Sequence, residues 1–410
     1  MAPHYGRAVK VIFMLPCHGV EASSDAQVDV LKLLFTNFHD GDGGGHTTYV
    51  LTLAAALAAR HAVHVAAPAT SRLYRQAGAV AGVHAWAQAF PTGFRLAAHW
   101  RAWRQLRALL REQDFDVVHV NGSADHRLVI SALRGRQRRP RIVLTKHNSK
   151  PMTGIGQWWR ARQGTDQVIA VCEYTRRELM VSPYRRCRLA TVHNGVDIGH
   201  FSPWLDAPAR QERRRWMGDR PGLLLGSNAG TADYKGWMDL VEALALLPAE
   251  QRVMVHLLIA GKLPSECARQ RIGELGLAGQ VHFPGLLADV RPTIAAIDAG
   301  FVLSWGVETI SFACREMMAM GKPVLVSEYA GLPENIRPGR DGWSVPPRDR
   351  EAMARMLQRL LEERPELPAM GRAAREHAEE SFGVGHFVER TEAVYAALLA
   401  GEVVVQSDES

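Results

Sequence analysis

The chain lacks any apolar run approaching the ~18–20 residues of a membrane-crossing helix. Its longest early run, Val11–Leu15, is shorter than the ~7–15 residues of a secretory signal core. A cytoplasmic protein is therefore expected. Cysteine is scarce: Cys17, Cys172, Cys187, Cys267 and Cys314 are scattered, with no CxxC pair. That argues against a disulfide framework and a zinc site, and fits a reducing compartment. Short repeats and low-complexity tracts are missing too. What is present is ordinary globular material, 47% hydrophobic and 22% charged over 410 residues. At roughly 100–200 residues per domain, two domains are expected.

The net charge of +7 is unevenly spread. Residues 1–200 hold 26 Lys+Arg against 13 Asp+Glu, and residues 201–410 hold 23 against 29. Opposite signs in the two halves fit two domains and point the basic half at an anionic partner. Apolar runs at Val9–Leu15, Ala62–Ala67, Asp116–Val120, Arg141–Thr145, Gln167–Val171 and Arg188–Val192 read as buried strands. A second set reads the same way: Leu223–Gly226, Val255–Ala260, Val281–Phe283, Gly300–Leu303 and Pro323–Ser327. Helical patterns such as Thr47–Arg60, Ala124–Arg134, Trp237–Leu247, Ser311–Met320 and Arg350–Leu361 intervene. Strand–helix alternation predicts an α/β fold with parallel sheets. The pattern is interrupted between Phe201 and Arg220. The expected organisation is a first domain over 1–203, a second over 204–382, a helix over 383–400 and a tail over 401–410. Two doubly wound domains place a ligand between them, at the carboxyl ends of their strands.

Three groups of residues bear on chemistry. Gly43-Gly44-Gly45 opens a helical pattern. Glycines allow close backbone approach, and a helix N-terminus offers free N–H groups to an anion such as a diphosphate. A flexible turn before a helix reads equally well. His46 breaks GxGxxG, which disfavours a nicotinamide-dependent oxidoreductase. Asp40-Gly41-Asp42 has the DxD form of metal–nucleotide sites, but Asp-Gly is also common turn material, and no metal is assigned. Glu308 and Glu316 are separated by seven residues. On one helix, at ~1.5 Å per residue, they would lie ~12 Å apart, beyond the ~5–9.5 Å of a glycosidase pair. They read as two contacts along an extended ligand, against the plainer reading of a solvated helix face.

The segment from Glu308 to Glu316, continued by Met317-Met318-Ala319-Met320-Gly321-Lys322-Pro323-Val324, resembles the E-x7-E signature of retaining family 4 glycosyltransferases. Other pieces agree in order. His193-Asn194-Gly195-Val196-Asp197 with Phe201 and Pro203 resembles P-N-G-V-D-x-x-x-F-x-P. Asp116-Val117-Val118-His119 resembles D-V-V-H, and Thr145-Lys146-His147 resembles T-x-H. Tyr234-Lys235-Gly236 resembles the K-G donor motif, and Phe283-Pro284-Gly285 resembles F-x-G. Gly331-Leu332-Pro333-Glu334 and Asp341-Gly342 resemble G-x-x-E and the late N/D-G. Together they cover roughly residues 8–400.

The resemblance implies a GT-B fold: two Rossmann-like domains facing across a deep cleft, with the C-terminal helix packing back on the first. It implies transfer from a nucleotide sugar with retention, without metal or cofactor. Carried over by position, Glu316 would bind ribose hydroxyls and Glu308 the donor sugar. Ser311 and Phe312 would bind the diphosphate, and Gly44 and Gly45 would close over it. Lys235 would stabilise the departing nucleoside diphosphate. His119 would stand near the reacting hydroxyl, with His147 and Asn121 on the acceptor side. The chain departs from the family in two places. Asn228 occupies the expected position of a diphosphate-binding Arg, so either another Arg substitutes or donor affinity is weaker. His119-Val120-Asn121 replaces H-x-H. The stretch Pro16–Asp40, containing the apolar segment Val28–Phe38, separates the expected first strand from the glycine loop. It is read as an acceptor-side flap or a surface insertion.

From Arg95 to Arg111 the spacing is helical, with Leu96, Trp100, Trp103, Leu106 and Leu110 on one face. Arg101, Arg104 and Arg111 lie off that face, with Arg107 at its edge. This reads either as an ordinary packed helix or as an interfacial helix on an anionic membrane. Trp158-Trp159-Arg160 and the Arg134–Arg141 cluster add to the basic surface. The sequence-based expectation is a UDP-linked donor and a saccharide or lipid-linked saccharide acceptor of lipopolysaccharide or another envelope glycan. The alternatives are a soluble sugar acceptor, a transferase that binds without turnover, and a basic nucleic-acid-binding protein. No recognition motif supports the last, and no nucleic acid is expected.

Overall fold

The computed structural model describes residues 30–203 and 206–401. The run Val9–Leu15 and the tail Val403–Ser410 lie outside these residues. The first sheet contains β1 (Lys32–Thr36), β2 (Ala62–Ala67), β3 (Val83–Ala87), β4 (Val117–Val120), β5 (Arg141–Lys146), β6 (Gln167–Ala170) and β7 (Arg188–Thr191). All are parallel, in the order β3-β2-β1-β4-β5-β6-β7. The second contains β8 (Leu223–Ser227), β9 (Val255–Ala260), β10 (Val281–Gly285), β11 (Ala299–Val302), β12 (Val324–Ser327) and β13 (Gly342–Val345). Its order is β10-β9-β8-β11-β12-β13, again parallel. These are the two doubly wound α/β lobes expected. Central strands such as β4, β6 and β9 are buried at every position, which explains their nearly continuous apolar runs.

The segment read as a flap or insertion is corrected: Lys32–Thr36 is a central strand, paired with β2 and β4. Only residues 37–42 separate it from Gly43, so the glycine loop follows a strand directly. The interruption after Phe201 also gains structure. Residues Asp206–Met217 form a helix, and Arg213 ties it to the second lobe through Ala296 O, Gly222 O and Asp298.

The helix Val384–Ala400 returns to the first lobe. Its Phe387, Val388, Val394, Tyr395 and Leu398 share a core with Phe35, Tyr49 and Leu53. This contact accounts for part of the Asn-Gly-Val-Asp segment. A Cβ on Gly195 would meet Phe387 at 2.8 Å, so only glycine admits the returning helix. Arg315, fully buried between the two glutamates of the signature, bonds Asn335 Oδ1 and the Asn194 carbonyl. It holds the two lobes' segments together and stands away from solvent.

In each sheet the strand order reverses at one place, between β1 and β4 and between β8 and β11. Ligands of open α/β sheets bind outside the carboxyl ends of such strands. The residues following these four strands include Gly43–Gly45, Asn121, Asn228, Lys235 and Glu308.

Candidate active site

A cavity of about 780 Å³ lies between the lobes, within the roughly 300–1,000 Å³ of small-molecule sites. Of the expected site residues, Gly45, Asn121, His147, Asn228, Lys235, Glu308, Ser311, Phe312 and Glu316 line it. Gly44 caps the helix Gly45–Leu57 without a side-chain partner, leaving that helix's first N–H groups unclaimed by a cap. Opposite, Ser311 caps the helix Phe312–Ala319 by accepting from Cys314 N. The two termini meet, since a Cβ on Gly45 would contact the Phe312 ring at 3.6 Å. The positive ends of two helices therefore face one cavity, an arrangement suited to an anion.

Lys235 ends a short turn, and Gly236 follows with φ +70 and no room for a Cβ against the Leu303 carbonyl. This close approach brings Lys235 to the end of β11, where its Nζ bonds Glu308 Oε2 at 2.5 Å. Ser304 Oγ reaches the same oxygen at 3.4 Å. Val307, just before Glu308, has φ 59, a strained value for a β-branched residue. Asn228 Nδ2 donates to Glu316 Oε2 at 2.5 Å. In place of the expected arginine, Asn228 steadies the carboxylate and supplies no charge. Among the described residues, no arginine lines the second lobe's wall of the cavity. Burial pushes the Glu316 carboxyl up to about 7, opposed by the Asn228 bond.

His119 does not line the cavity, and the expectation that it stands beside the reacting hydroxyl is corrected. It is 1% exposed, with Nδ1 against Tyr395 Oη at 2.6 Å and Nε2 against Thr145 Oγ1 at 2.5 Å. Burial lowers its pKa to about 3, so it is a neutral tie between β4 and the returning helix. His119→Ala would strand the buried Tyr395 hydroxyl, while Thr145 Oγ1 keeps its bond to Tyr49 Oη, and would open a cavity. It is expected to cost about 2–4 kcal/mol of stability, read by denaturant unfolding. Folded variant should retain near-native turnover. A large turnover loss with unchanged stability would restore the catalytic role.

Asn121 takes the cleft position that H-x-H gives to histidine. Its Nδ2 donates to Thr36 O and His119 O, and its Oδ1 accepts from His147 Nε2 at 2.8 Å. It therefore positions His147. Sequence reasoning missed the neighbours of His147. Phe38, His39, His46 and His147 form a run of ring contacts, with successive centroids 4.2, 4.4 and 4.5 Å apart. Burial holds His46 down to about 4 and His147 well below its usual value. His46 stood directly after the three glycines, where a side chain must face the ligand or the adjoining lobe. Asp40 is turn material: its Oδ1 accepts from Gly41 N and Thr70 Oγ1.

The helix Leu96–Glu112 divides its expected apolar face. Leu106 and Leu110 are buried, and Trp103 is half-buried with Nε1 donating to Ser131 O. Leu96 is 82% exposed and Trp100 57% exposed, with Phe94 fully exposed just before them. The Arg104 guanidinium lies 4.7 Å from the Trp100 ring. None of the described helices is long and apolar enough to cross a membrane.

Known proteins agree with this architecture. Residues 43–200 match Glycosyltransferase Family 4, and residues 221–363 match Glycosyl transferases group 1. A GDP-mannose-dependent alpha-(1-6)-phosphatidylinositol monomannoside mannosyltransferase of Mycolicibacterium smegmatis is 27% identical, over 84% of this chain and 93% of its own. Anabaena HepE, solved with UDP and glucose, superposes with a TM-score of 0.76 at 18% identity, covering 90% of this chain and 100% of its own. WaaG, a glycosyltransferase involved in lipopolysaccharide biosynthesis, gives a TM-score of 0.65 at 16% identity, over 90% and 100%. Both structures share the GT-B fold with this chain.

Proposed function

Because the chain belongs to the family 4 glycosyltransferases of GT-B fold, we propose that its cleft moves a sugar from a UDP-linked donor to a saccharide acceptor of an envelope glycan, with retention and without a metal. The observation that carries this reading is the meeting of two helix N-termini, the Lys235–Glu308 pair and Glu316 in one cavity. In this reading the donor diphosphate lies between Gly44–Gly45 and Ser311–Phe312. Glu316 accepts from the ribose hydroxyls, and Glu308 contacts the sugar. As the bond from the anomeric carbon to the diphosphate oxygen breaks, charge gathers on the diphosphate. Lys235 and the helix termini stabilise it without reorganisation. The acceptor oxygen bonds the same carbon from the same face, and its proton passes to the departing diphosphate. The cleft histidines His46 and His147 are neutral, held so by burial, and serve as hydrogen-bonding walls.

A thermal-shift panel of UDP, GDP, ADP, CMP, NAD and nucleotide sugars, with and without EDTA, tests the donor. Stabilisation by UDP and its sugars, unchanged by EDTA, is the expected result. A second reading, GDP-mannose, is favoured by the donor of the Mycolicibacterium relative, and a GDP-selective shift would establish it. A shift with NAD alone, or with nothing, removes the transferase reading.

The exposed Phe94, Leu96 and Trp100, interleaved with Arg95, Arg101 and Arg104, support peripheral contact with an anionic membrane that carries the acceptor. Each basic residue near such a surface contributes ~1 kcal/mol. R101E/R104E reverses two charges and is expected to abolish flotation with anionic vesicles. Undiminished flotation would return this helix to a purely structural role.

A further inference from the structure

The two walls of the cavity differ in charge. Among the described residues, the carboxylates that line it, Glu308 and Glu316, belong to the second lobe. Among the described residues, the first-lobe wall carries three cations, Lys146, Lys150 and Arg160, and no carboxylate. Lys146, at the end of β5, is 9% exposed and spends two of its N–H groups on Asn148 Oδ1 and the Lys150 carbonyl. One donor and the charge remain. Glu178 acts on Lys146 from a smaller depression that Lys146 and Lys150 also line, and does not itself line the cavity. Arg160 is 6% exposed. Its guanidinium bonds the Tyr184 hydroxyl, a neutral partner that leaves the charge free to take an anion from the cavity.

A fourth residue narrows the chemistry. His126 lines the same wall and is fully buried. Thr165 Oγ1 donates to the Arg160 carbonyl, so its own contact with His126 Nε2 at 3.2 Å must be one of accepting. Nε2 therefore carries the proton, and Nδ1 is a bare acceptor with no partner. Burial, with Arg160 close by, holds this ring neutral, at a pKa of about 3. A lone pair near the Arg160 guanidinium, in a wall shared with Lys146 and Lys150, suits a hydroxyl adjacent to an anionic group.

We propose that the first-lobe wall is an acceptor subsite for an oxyanion, a phosphate ester or a uronate carboxylate, held by Lys146, Lys150 and Arg160 with a neighbouring hydroxyl given to His126 Nδ1. That this ligand is an acceptor rests on the transferase reading above. The anionic acceptor would then be drawn to the basic lobe while the second lobe holds the nucleotide.

Calorimetric titration of the full chain with mannose 6-phosphate, glucuronate and glucose tests the subsite, with UDP and GDP titrated in parallel. At least one anion should bind about tenfold tighter than glucose, or 1.4 kcal/mol. Whichever anion binds tighter identifies the ester or the carboxylate. Arg160→Gln and Lys150→Gln should each remove most of that preference. Lys150 is exposed, so its variant reports even if the buried Arg160 variant fails to fold. Equal affinity for glucose, no anion binding at millimolar concentration, or indifference to both substitutions overturns the proposal. Parallel loss of nucleotide binding would also overturn it, by assigning these cations to the donor diphosphate. If neither nucleotide binds while the anions bind and respond to the substitutions, the transferase reading falls and the subsite stands.

Discussion

Lys235→Ala is expected to lower turnover by about 10²–10³-fold, the usual cost of removing one preorganised charge stabiliser. The side chain is placed by geometry that the substitution leaves intact: the Gly236 turn and the bond from Trp305 N to Tyr234 O at 2.9 Å remain. Truncation also strips Glu308 of its cation, leaving a carboxylate near the donor diphosphate with only the 3.4 Å contact from Ser304. Part of the loss could therefore be repulsion. A double-mutant cycle separates the terms. If Lys235→Ala slows the Glu308→Gln variant as much as it slows the native protein, the missing cation is responsible. Substantial recovery in the double variant would mean that Lys235 mainly neutralises Glu308. Wild-type turnover in the single variant would sink its electrostatic role. The Michaelis constant for acceptor should move little in either variant, because Lys235 stands on the second lobe's wall.

The repeating α/β pattern was legible because central parallel strands, buried on both faces, must be apolar throughout. The strands that escaped notice had reasons to. β3, Val-His-Ala-Trp-Ala, is an edge strand whose residues are half-buried or exposed, so no apolar run marks it. β13, Gly-Trp-Ser-Val, is a short edge strand at the other sheet's end. β1 was hidden differently: Lys32–Thr36 follows another apolar run, Val9–Leu15, and composition cannot rank two candidates for one place. Pairing with β2 and β4 decides for the later one.

The site was legible where backbone geometry demands a residue type. Gly236 is required by its close approach to the Leu303 carbonyl, and the Ser311 cap by a helix start. It was illegible where the deciding contact is distant in sequence. His119 and Asn121 are two residues apart, and nothing local says which faces the cleft. The answer lies in Tyr395, on a helix that returns from the far end of the chain to occupy His119. Arg160 was noticed only as part of a basic surface. Its burial follows from the packing of the helix Ile155–Gly164.

Glu316→Gln should act on stability and binding in opposite directions. Burial raises the Glu316 carboxyl from 4.5 to about 7. The folded free protein thus holds a proton there, between these values, that the unfolded chain has released. Stability must then fall as pH rises through that window, and above pH 7 Glu316 destabilises the fold. Glutamine keeps an oxygen to accept from Asn228 Nδ2 and removes the charge. The variant should melt higher than the native protein at pH 8 and equally or slightly lower near pH 4.5. Donor binding asks for the reverse. Ribose hydroxyls donate, and the carboxylate is the better acceptor, so Glu316→Gln should weaken nucleotide-sugar affinity by about 10–100-fold, the worth of charge-assisted hydrogen bonds. Native affinity should itself decline as pH falls below 7, approaching about tenfold per unit as the proton competes, while the variant's stays flat. The diphosphate diester of a nucleotide sugar does not titrate in this range, which makes it the right probe. Unchanged affinity in the variant would remove Glu316 from the ribose. A lower melting temperature at pH 8 would show that the carboxylate is paid for within the fold, and that its proton has no bearing on the cleft.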